Sequence, residues 1–212
     1  MRPSTSWQIR SEPPPTPRPA IEDNRRAIEE AALLGAPVLV LVCGPVVDRD
    51  VAGSVSMIRD GIAAVLDDAA EHGVALGIEP LHPMMAADRS AITRIDDAVR
   101  IIEDLGAPPG VGVVVDAYHV WWDCLLEEQL RRAAGRILGF HVSDWVSPLT
   151  GGLTDGRGIM GDGAIDLGRM ASLVAGSGYA GPVEIEIISA DLSRQPSDDL
   201  LPTVLHRFEQ IE

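Results

Sequence analysis

Few cysteines, few basic residues and no long apolar run characterise this 212-residue sequence. The two cysteines, Cys43 and Cys124, lack CxxC spacing and are too few for a disulfide framework, which predicts small core hydrophobes in a reducing compartment. Seventeen basic residues against 32 acidic ones give a net charge of −15, which would repel a phosphate backbone. No apolar stretch approaches the ~20 residues that span a bilayer, and the N-terminus has no signal-peptide core. We therefore expect a cytoplasmic protein with neither a nucleic-acid nor a membrane partner.

The first 20 residues are rich in proline, with six of the sixteen prolines of the chain. Proline cannot recur in a helix or in a central strand, because it lacks an N–H and its ring fixes φ. We therefore predict an extended, flexible N-terminal arm over residues 1–20. A single folded domain is predicted to occupy residues 21–212.

Apolar periodicity within that domain predicts strands and helices in strict alternation. The predicted strands are 37–44, 74–81, 111–119, 137–144 and 183–189, and the predicted helices are 21–34, 55–72, 91–105, 125–134, 167–177 and 198–211. Alternation of this kind is typical of an α/β fold with a parallel sheet, either an open doubly wound sheet or a (β/α) barrel. The first predicted strand is not followed by GxGxxG, and no GxxxxGK[ST] occurs, so the phosphate-binding open sheets are disfavoured.

The segment VGVVVDAYH, residues 111–119, carries almost purely β-branched residues into Asp116 and His119. An apolar run of this kind predicts a strand that is buried on both faces, as in parallel sheets. Its carboxylate and imidazole follow at the end of the strand, which is where parallel α/β folds place their catalytic groups.

Three other predicted strands also end in a group that can bind a divalent cation. The full set is Glu79, Asp116, His141 and Glu186. Each one alone could be a helix cap, a core histidine or a surface charge, but ionisable groups rarely enter apolar strands unless they are paired or metal-bound. Glu184 shares a strand face with Glu186 and competes for the last position, which we assign to Glu186 because it lies nearer the strand end. Three carboxylates and one imidazole suit Mn²⁺, Mg²⁺ or Co²⁺.

A second group of polar residues lies close to these strand ends and is predicted to contact a substrate: His82, His119, Asp144 and Arg157. For His82, a solvated loop position is the competing interpretation. Asp144 could instead cap the loop that follows its strand. Trp121 and Trp122 are interpreted as packing residues rather than as a platform for stacking a sugar.

Five segments together resemble the sugar phosphate isomerase/epimerase family, whose fold is a xylose isomerase-like TIM barrel. They are, in chain order, GIEPLHP, VVVDAYHVWWD, FHVSDW, GRGIMGDGAIDL and GPVEIEI, and the resemblance covers residues 21–211. It implies a metal site made of Glu79, Asp116, His141 and Glu186. It further implies that Glu79 and Glu186 transfer protons, that His119 contacts the substrate and that Arg157 approaches it. Carbohydrate metabolism and a small polyhydroxy carbonyl substrate are implied in the same way.

Proton transfer next to a carbonyl produces an enediolate, which a divalent cation stabilises as a Lewis acid. Two carboxylates on opposite sides can remove and return the proton, which gives epimerisation or isomerisation of a sugar or sugar phosphate. Loss of a β-hydroxyl would instead give dehydration, so an inosose-type dehydratase is the alternative. A catalytically weak, truncated barrel is a second alternative.

The number of strands is too small for a closed barrel, which has eight strands and about 250 residues. The family begins with strand–helix units that have no counterpart here, so we expect an incomplete barrel or a misplaced start of the chain. An incomplete barrel would leave the first and last strands with exposed apolar edges. Self-association into a homo-oligomer is one expected consequence.

Overall fold

The structure is a computed structural model that describes residues 17–149 and 152–211. The described residues form two compact units, which divide after Val114. The single domain predicted for residues 21–212 stays a prediction. Most of the predicted arm, residues 1–16, lies outside the described residues, whereas Pro17 already begins the first helix.

The first unit alternates helices and strands in the predicted order. Its elements are α1 (Pro17–Leu33), β1 (Val38–Leu41), α2 (Val51–Ala63), α3 (Leu66–His72), β2 (Ala75–Ile78), a 3₁₀ turn (Pro83–Met85), α4 (Ile95–Asp104) and β3 (Val111–Asp116). The strands pair in parallel, with Val38 opposite Ala75 and Leu76 opposite Val111. The final two residues of β3 belong to the second unit.

The predicted helix over residues 55–72 was wrong, because the structure contains two helices there. Helix α2 ends at Ala63, and Val65 has φ −121° and ψ 5°, which is not helical geometry. The side chain of Val65 is only 1% exposed, so its packing into the core accompanies the break. Gly73 ends α3 in the left-handed conformation with φ 67°, as the predicted stop requires.

Gly77 in β2 is closely packed on the side where a Cβ would lie. A Cβ at this residue would approach Val114 Cγ2 to 2.6 Å and Val38 Cγ1 to 3.2 Å. We expect Gly77→Ala to lower the free energy of unfolding by about 1–3 kcal/mol, because a well-packed core resists added volume. Gly61→Ala in α2 is the matched control, since a Cβ there meets nothing within 4 Å and alanine favours the helix by roughly 0.5–1 kcal/mol. Urea titrations showing the same sign for both variants would contradict the packing described.

The second unit continues the alternation and adds short elements. It contains α5 (Ala117–Val120), α6 (Leu126–Arg132), β4 (Ile137–Val142), β5 (Asp144–Trp145), α7 (Gly152–Asp155), β6 (Arg157–Gly158), α8 (Leu167–Gly176), β7 (Val183–Ile185), a 3₁₀ turn (Leu192–Arg194) and α9 (Ser197–Phe208). Strands β4 and β7 pair in parallel, with Phe140 opposite Val183. Strands β5 and β6 form an antiparallel pair, with Asp144 opposite Gly158.

The parallel sheet has the strand order β1-β2-β3-β4-β7, which is the order of the sequence. This confirms the predicted α/β class and five parallel strands, against the eight of a closed TIM barrel. Strands β1 and β7 stand at the two ends of that order, as expected of an incomplete barrel. The side chain of Val183 in β7 is exposed, whereas Leu39 and Leu41 in β1 are buried.

The two cysteines differ in their surroundings. Cys43 is half-buried, but Cys124 is exposed, so the prediction that both are core residues was wrong for Cys124. Cys124 lies just before α6, where the chain turns at the surface.

Within the described residues, no helix is both long and apolar enough to cross a membrane.

Candidate functional site

Asp116 ends β3, whose six residues are all buried. Its Oδ1 accepts a hydrogen bond of 2.9 Å from the backbone N–H of Tyr118, so the side chain caps the first turn of α5. The predicted extension of this strand to His119 was therefore wrong, because the aspartate that ends the strand also begins a helix. His119 lies in that helix and is 3% exposed.

Arg157 in β6 is a buried guanidinium that contacts several predicted site residues. Its Nη1 donates to Asp116 Oδ2 at 2.6 Å and to Glu186 Oε2 at 3.2 Å. The same nitrogen donates to the Glu186 carbonyl at 3.1 Å and lies 3.4 Å from Ser143 Oγ. The other terminal nitrogen, Nη2, lies 3.2 Å from His119 Nε2. The structure thus places Arg157 and His119, which are predicted to contact the substrate, beside two predicted metal ligands. These ligands are Asp116 and Glu186.

The ionisation of Asp116 reflects this environment. Complete burial alone would raise its pKa, because the charged form is desolvated. The positive charge of Arg157, together with His119 and His141, outweighs burial and holds the pKa of Asp116 below its ordinary value. The carboxylate is therefore ionised at neutral pH, which is the form that binds a metal.

His141 lies near the end of β4 and faces both glutamates that competed in the sequence. Its Nδ1 is 3.2 Å from Glu186 Oε2, and its Nε2 is 3.9 Å from Glu184 Oε2. The side chain of Glu184 is 62% exposed, against 24% for Glu186. Glu186 is consequently the less solvated of the two and makes the shorter contact.

Glu79 directly follows β2 and is buried. Its backbone N–H donates to the Leu41 carbonyl at 3.1 Å, which continues the pairing of β1 with β2 by one residue. Burial, with a smaller contribution from the charge of Glu79, raises the pKa of the Cys43 thiol to about 12. This thiol is therefore protonated at neutral pH and is a poor metal ligand.

Three side chains of the second unit together have the composition of a metal site. They are Asp116, His141 and Glu186, and one ligand atom from each lies within 4.8 Å of the others. Asp116 and His141 are buried, and Glu186 is half-buried. Oxygen-rich donors of this kind match hard divalent cations. Glu79, which follows β2 in the first unit, stays a predicted fourth ligand.

Asp144 has a different environment from the residues around Arg157. Its Oδ1 accepts from the N–H groups of Trp145 and Ile165, and its Oδ2 accepts from those of Gly161 and Gly163, at 2.8–3.0 Å. The carboxylate therefore holds the glycine-rich loop in place, as in the capping interpretation. A direct substrate contact by Asp144 stays a prediction.

His82 also makes a local contact, because its Nδ1 accepts from the backbone N–H of Met84 at 3.3 Å and so caps the 3₁₀ turn. Burial lowers the pKa of His82, which favours the neutral imidazole. A substrate contact by this residue also stays a prediction.

Two residues around Arg157 were not singled out in the sequence. Ser143 contacts the guanidinium, and the ring of the buried Tyr118 lies 4.8 Å from the guanidinium carbon. The Tyr118 hydroxyl donates to the Leu153 carbonyl at 3.2 Å. No pattern in the sequence indicates this pairing, because Tyr118 and Arg157 are brought together only by the tertiary fold.

Trp121, Trp122 and Trp145 are half-buried, and their contacts agree with the packing interpretation of Trp121 and Trp122. Trp145 lies 4.8 Å from Tyr118 and 5.7 Å from Trp121, measured between ring centroids. Trp122 donates its indole N–H to the His119 carbonyl at 2.8 Å. These aromatic residues support the short helix that carries His119.

The chain belongs to the xylose isomerase-like TIM barrel family, whose model matches residues 1–209. Among solved structures it is similar to protein SMc04130 from Sinorhizobium meliloti 1021, with 44% identity and a TM-score of 0.88 over 94% of this chain and 74% of that one. A structure of the IOLI protein with a bound zinc atom has a TM-score of 0.73 at 21% identity, covering 90% of this chain and 68% of that chain.

One curated relative is the inosose isomerase of Halalkalibacterium halodurans, which is 24% identical over 185 residues. These residues make up 86% of this chain but 64% of that protein, so the chain spans less than two thirds of its length. The family and the solved neighbours confirm the resemblance stated for the sequence.

Proposed function

We propose that this protein is a divalent-metal-dependent isomerase or epimerase of a small polyhydroxy carbonyl compound. The observation that carries the proposal is the group Asp116, His141 and Glu186 of the second unit, whose ligand atoms lie within 4.8 Å of one another. Glu79 is proposed as the fourth ligand. Family membership supports it, since the structural neighbours include an L-ribulose 3-epimerase and a D-psicose 3-epimerase.

The residues present fit a metal ion on chemical grounds. Asp116 is fully buried and has a lowered pKa, so it offers an ionised oxygen that is itself shielded from water. Glu79, His141 and Glu186 supply the remaining donors. We infer Mn²⁺, Mg²⁺ or Co²⁺ from the three carboxylates, although the zinc atom of the IOLI structure shows that one fold neighbour binds a different divalent ion. When bound, the ion supplies Lewis-acid stabilisation of the negative charge that develops on the substrate oxygens.

The protein side chains then have separate tasks. Glu79 and Glu186 are proposed to remove and return the proton on the carbon next to the carbonyl, which requires a basic carboxylate on each side of the substrate. Arg157 and His119 are proposed to orient substrate oxygens, because their polar atoms lie 3.2 Å apart beside Asp116. Burial of both residues limits the access of water to the reacting atoms.

The substrate class, a small sugar, sugar phosphate or polyhydroxy carbonyl compound, is part of the proposal. The 24% identical relative acts on an inosose according to its name, which extends the range to cyclic polyols. A cytoplasmic location, the absence of a nucleic-acid partner and self-association into a homo-oligomer also remain proposals. Product mass would separate isomerisation, which conserves mass, from the dehydratase alternative, which loses water.

Calorimetric titration with Mn²⁺ tests the metal site directly. We expect one ion per chain, and we expect Asp116→Ala and His141→Ala to weaken binding by at least about 10-fold, since each removes a ligand. Asp162→Ala is the control, because the side chain of Asp162 is half-exposed and pairs with Arg207 at 3.1 Å. Binding of equal strength by the parent and both ligand variants would show that the site is assigned to the wrong residues.

A further inference from the structure

The carboxylates that accept hydrogen bonds from Arg157, those of Asp116 and Glu186, are also proposed metal ligands. Membership of the family assigns no function to this contact. We propose that the Arg157 guanidinium is a built-in counter-cation that weakens the binding of the divalent ion and so sets its affinity. The inference rests on the proposed function, because it requires that Asp116 and Glu186 are metal ligands. It adds a role for Arg157 that is separate from contact with the substrate.

The first argument concerns the carboxylate oxygens that Arg157 contacts. Arg157 Nη1 lies 2.6 Å from Asp116 Oδ2 and 3.2 Å from Glu186 Oε2. The other oxygen of Asp116, Oδ1, already accepts from the Tyr118 N–H at 2.9 Å. An ion bound by Asp116 must therefore share the carboxylate with two donors, one of which carries a full positive charge.

The second argument is that the guanidinium is held in place. Its side chain is 5% exposed, and its Nη1 also donates to the Glu186 carbonyl and lies beside Ser143 Oγ. The Tyr118 ring lies 4.8 Å from the guanidinium carbon on another side. The backbone N–H of Arg157 donates to the Ile188 carbonyl at 3.2 Å, so the main chain of this residue is also held in place. Swinging out to solvent would break all of these contacts, so the charge stays near the ligands.

The third argument is the magnitude of the interaction. Like charges a few ångströms apart repel by several times RT even at an effective dielectric constant of about 20. Removal of the guanidinium charge should therefore strengthen binding of a divalent ion by at least about 10-fold. A purely structural role predicts the opposite, since loss of these hydrogen bonds would disorder Asp116 and Glu186 and weaken binding.

The test is calorimetric titration of the full chain with Mn²⁺ at about pH 8, well above the ordinary pKa of carboxylates. We expect Arg157→Gln to bind Mn²⁺ at least about 10-fold more tightly than the parent, and Arg157→Lys, which keeps the charge, to stay within about threefold of it. Arg169→Gln is the control for a change in net charge, because Arg169 is 62% exposed and lies 3.5 Å from Glu127. Its affinity should equal that of the parent.

Weaker or unchanged binding in Arg157→Gln would overturn the inference. A gain of equal size in Arg157→Lys would overturn it as well, because the gain would then come from altered geometry and not from lost charge. If Arg157→Gln does not fold by circular dichroism, Arg157→Met, which also removes the charge, takes its place with the same expected gain. Failure of the parent to bind Mn²⁺ would instead count against the proposed function, so the two failures are distinguishable.

Discussion

Replacing Glu186 with glutamine is expected to reduce turnover by at least about 100-fold even at saturating Mn²⁺, where the weaker binding caused by loss of one ligand charge no longer limits activity. Glutamine keeps an oxygen that can bind the ion and nearly the same shape, but it cannot accept the substrate proton. The side chain of Glu186 is 24% exposed, so a substrate can reach it, and its contacts of 3.2 Å with His141 and Arg157 hold the carboxylate in position. Glu79→Gln should behave in the same way. Steady-state kinetics and calorimetry on the same preparations provide the two readouts.

Glu184→Gln is the matched control for this prediction. It makes the same chemical change two residues away, on a side chain that is 62% exposed and 3.9 Å from His141. We expect it to lower turnover by less than about threefold. Full activity in Glu186→Gln together with a collapse in Glu184→Gln would transfer the role of base to Glu184.

Replacing Asp144 with alanine is expected to lower the free energy of unfolding by roughly 3–5 kcal/mol, because buried donors would lose a charged acceptor. The carboxylate is fully buried and accepts four backbone N–H bonds, three of them from the glycine-rich loop at residues 161–165. Gly163 also approaches this carboxylate too closely for a Cβ, so the loop cannot shift easily to compensate. Urea denaturation followed by circular dichroism measures the loss.

Asp166→Ala is the control for Asp144→Ala. Asp166 caps α8 through one hydrogen bond of 3.0 Å to the Arg169 N–H, and it is exposed. Loss of such a cap costs about 1 kcal/mol. An equal, small effect of both substitutions would mean that Asp144 does not hold the loop.

The five parallel strands could be predicted from the sequence because each is a short apolar run that a glycine or a polar residue ends. The break between α2 and α3 could not, since Val65 continues the helical periodicity and leaves helical geometry only where it packs into the core. The end of β3 was missed for a similar reason. Asp116 was recognised as a functional group, but its second role as the cap of α5 depends on a local hydrogen bond.

The four strand-end residues could be proposed as metal ligands from the sequence because parallel strands bring their carboxyl ends to one edge of a sheet. Their surroundings could not be predicted in the same way. Arg157 is 41 residues from Asp116 in the chain, and their contact arises only when β6 folds back. The contact between Tyr118 and Arg157 likewise depends on the tertiary fold, and the exposed position of Cys124 shows that cysteine count alone does not determine burial.

Exchange of a substrate hydrogen with solvent tests the central claim most directly, because proton transfer next to a carbonyl is the step that the site is proposed to perform. The chain loaded with Mn²⁺ is incubated in deuterated water with a panel of small ketoses and inososes, and deuterium in the recovered sugars is measured by mass spectrometry. We predict deuterium on the carbon next to the carbonyl of at least one compound with the parent chain, and none above background with Glu186→Gln. Equal incorporation by both chains, or none in any compound by a parent chain that binds Mn²⁺, would contradict the account.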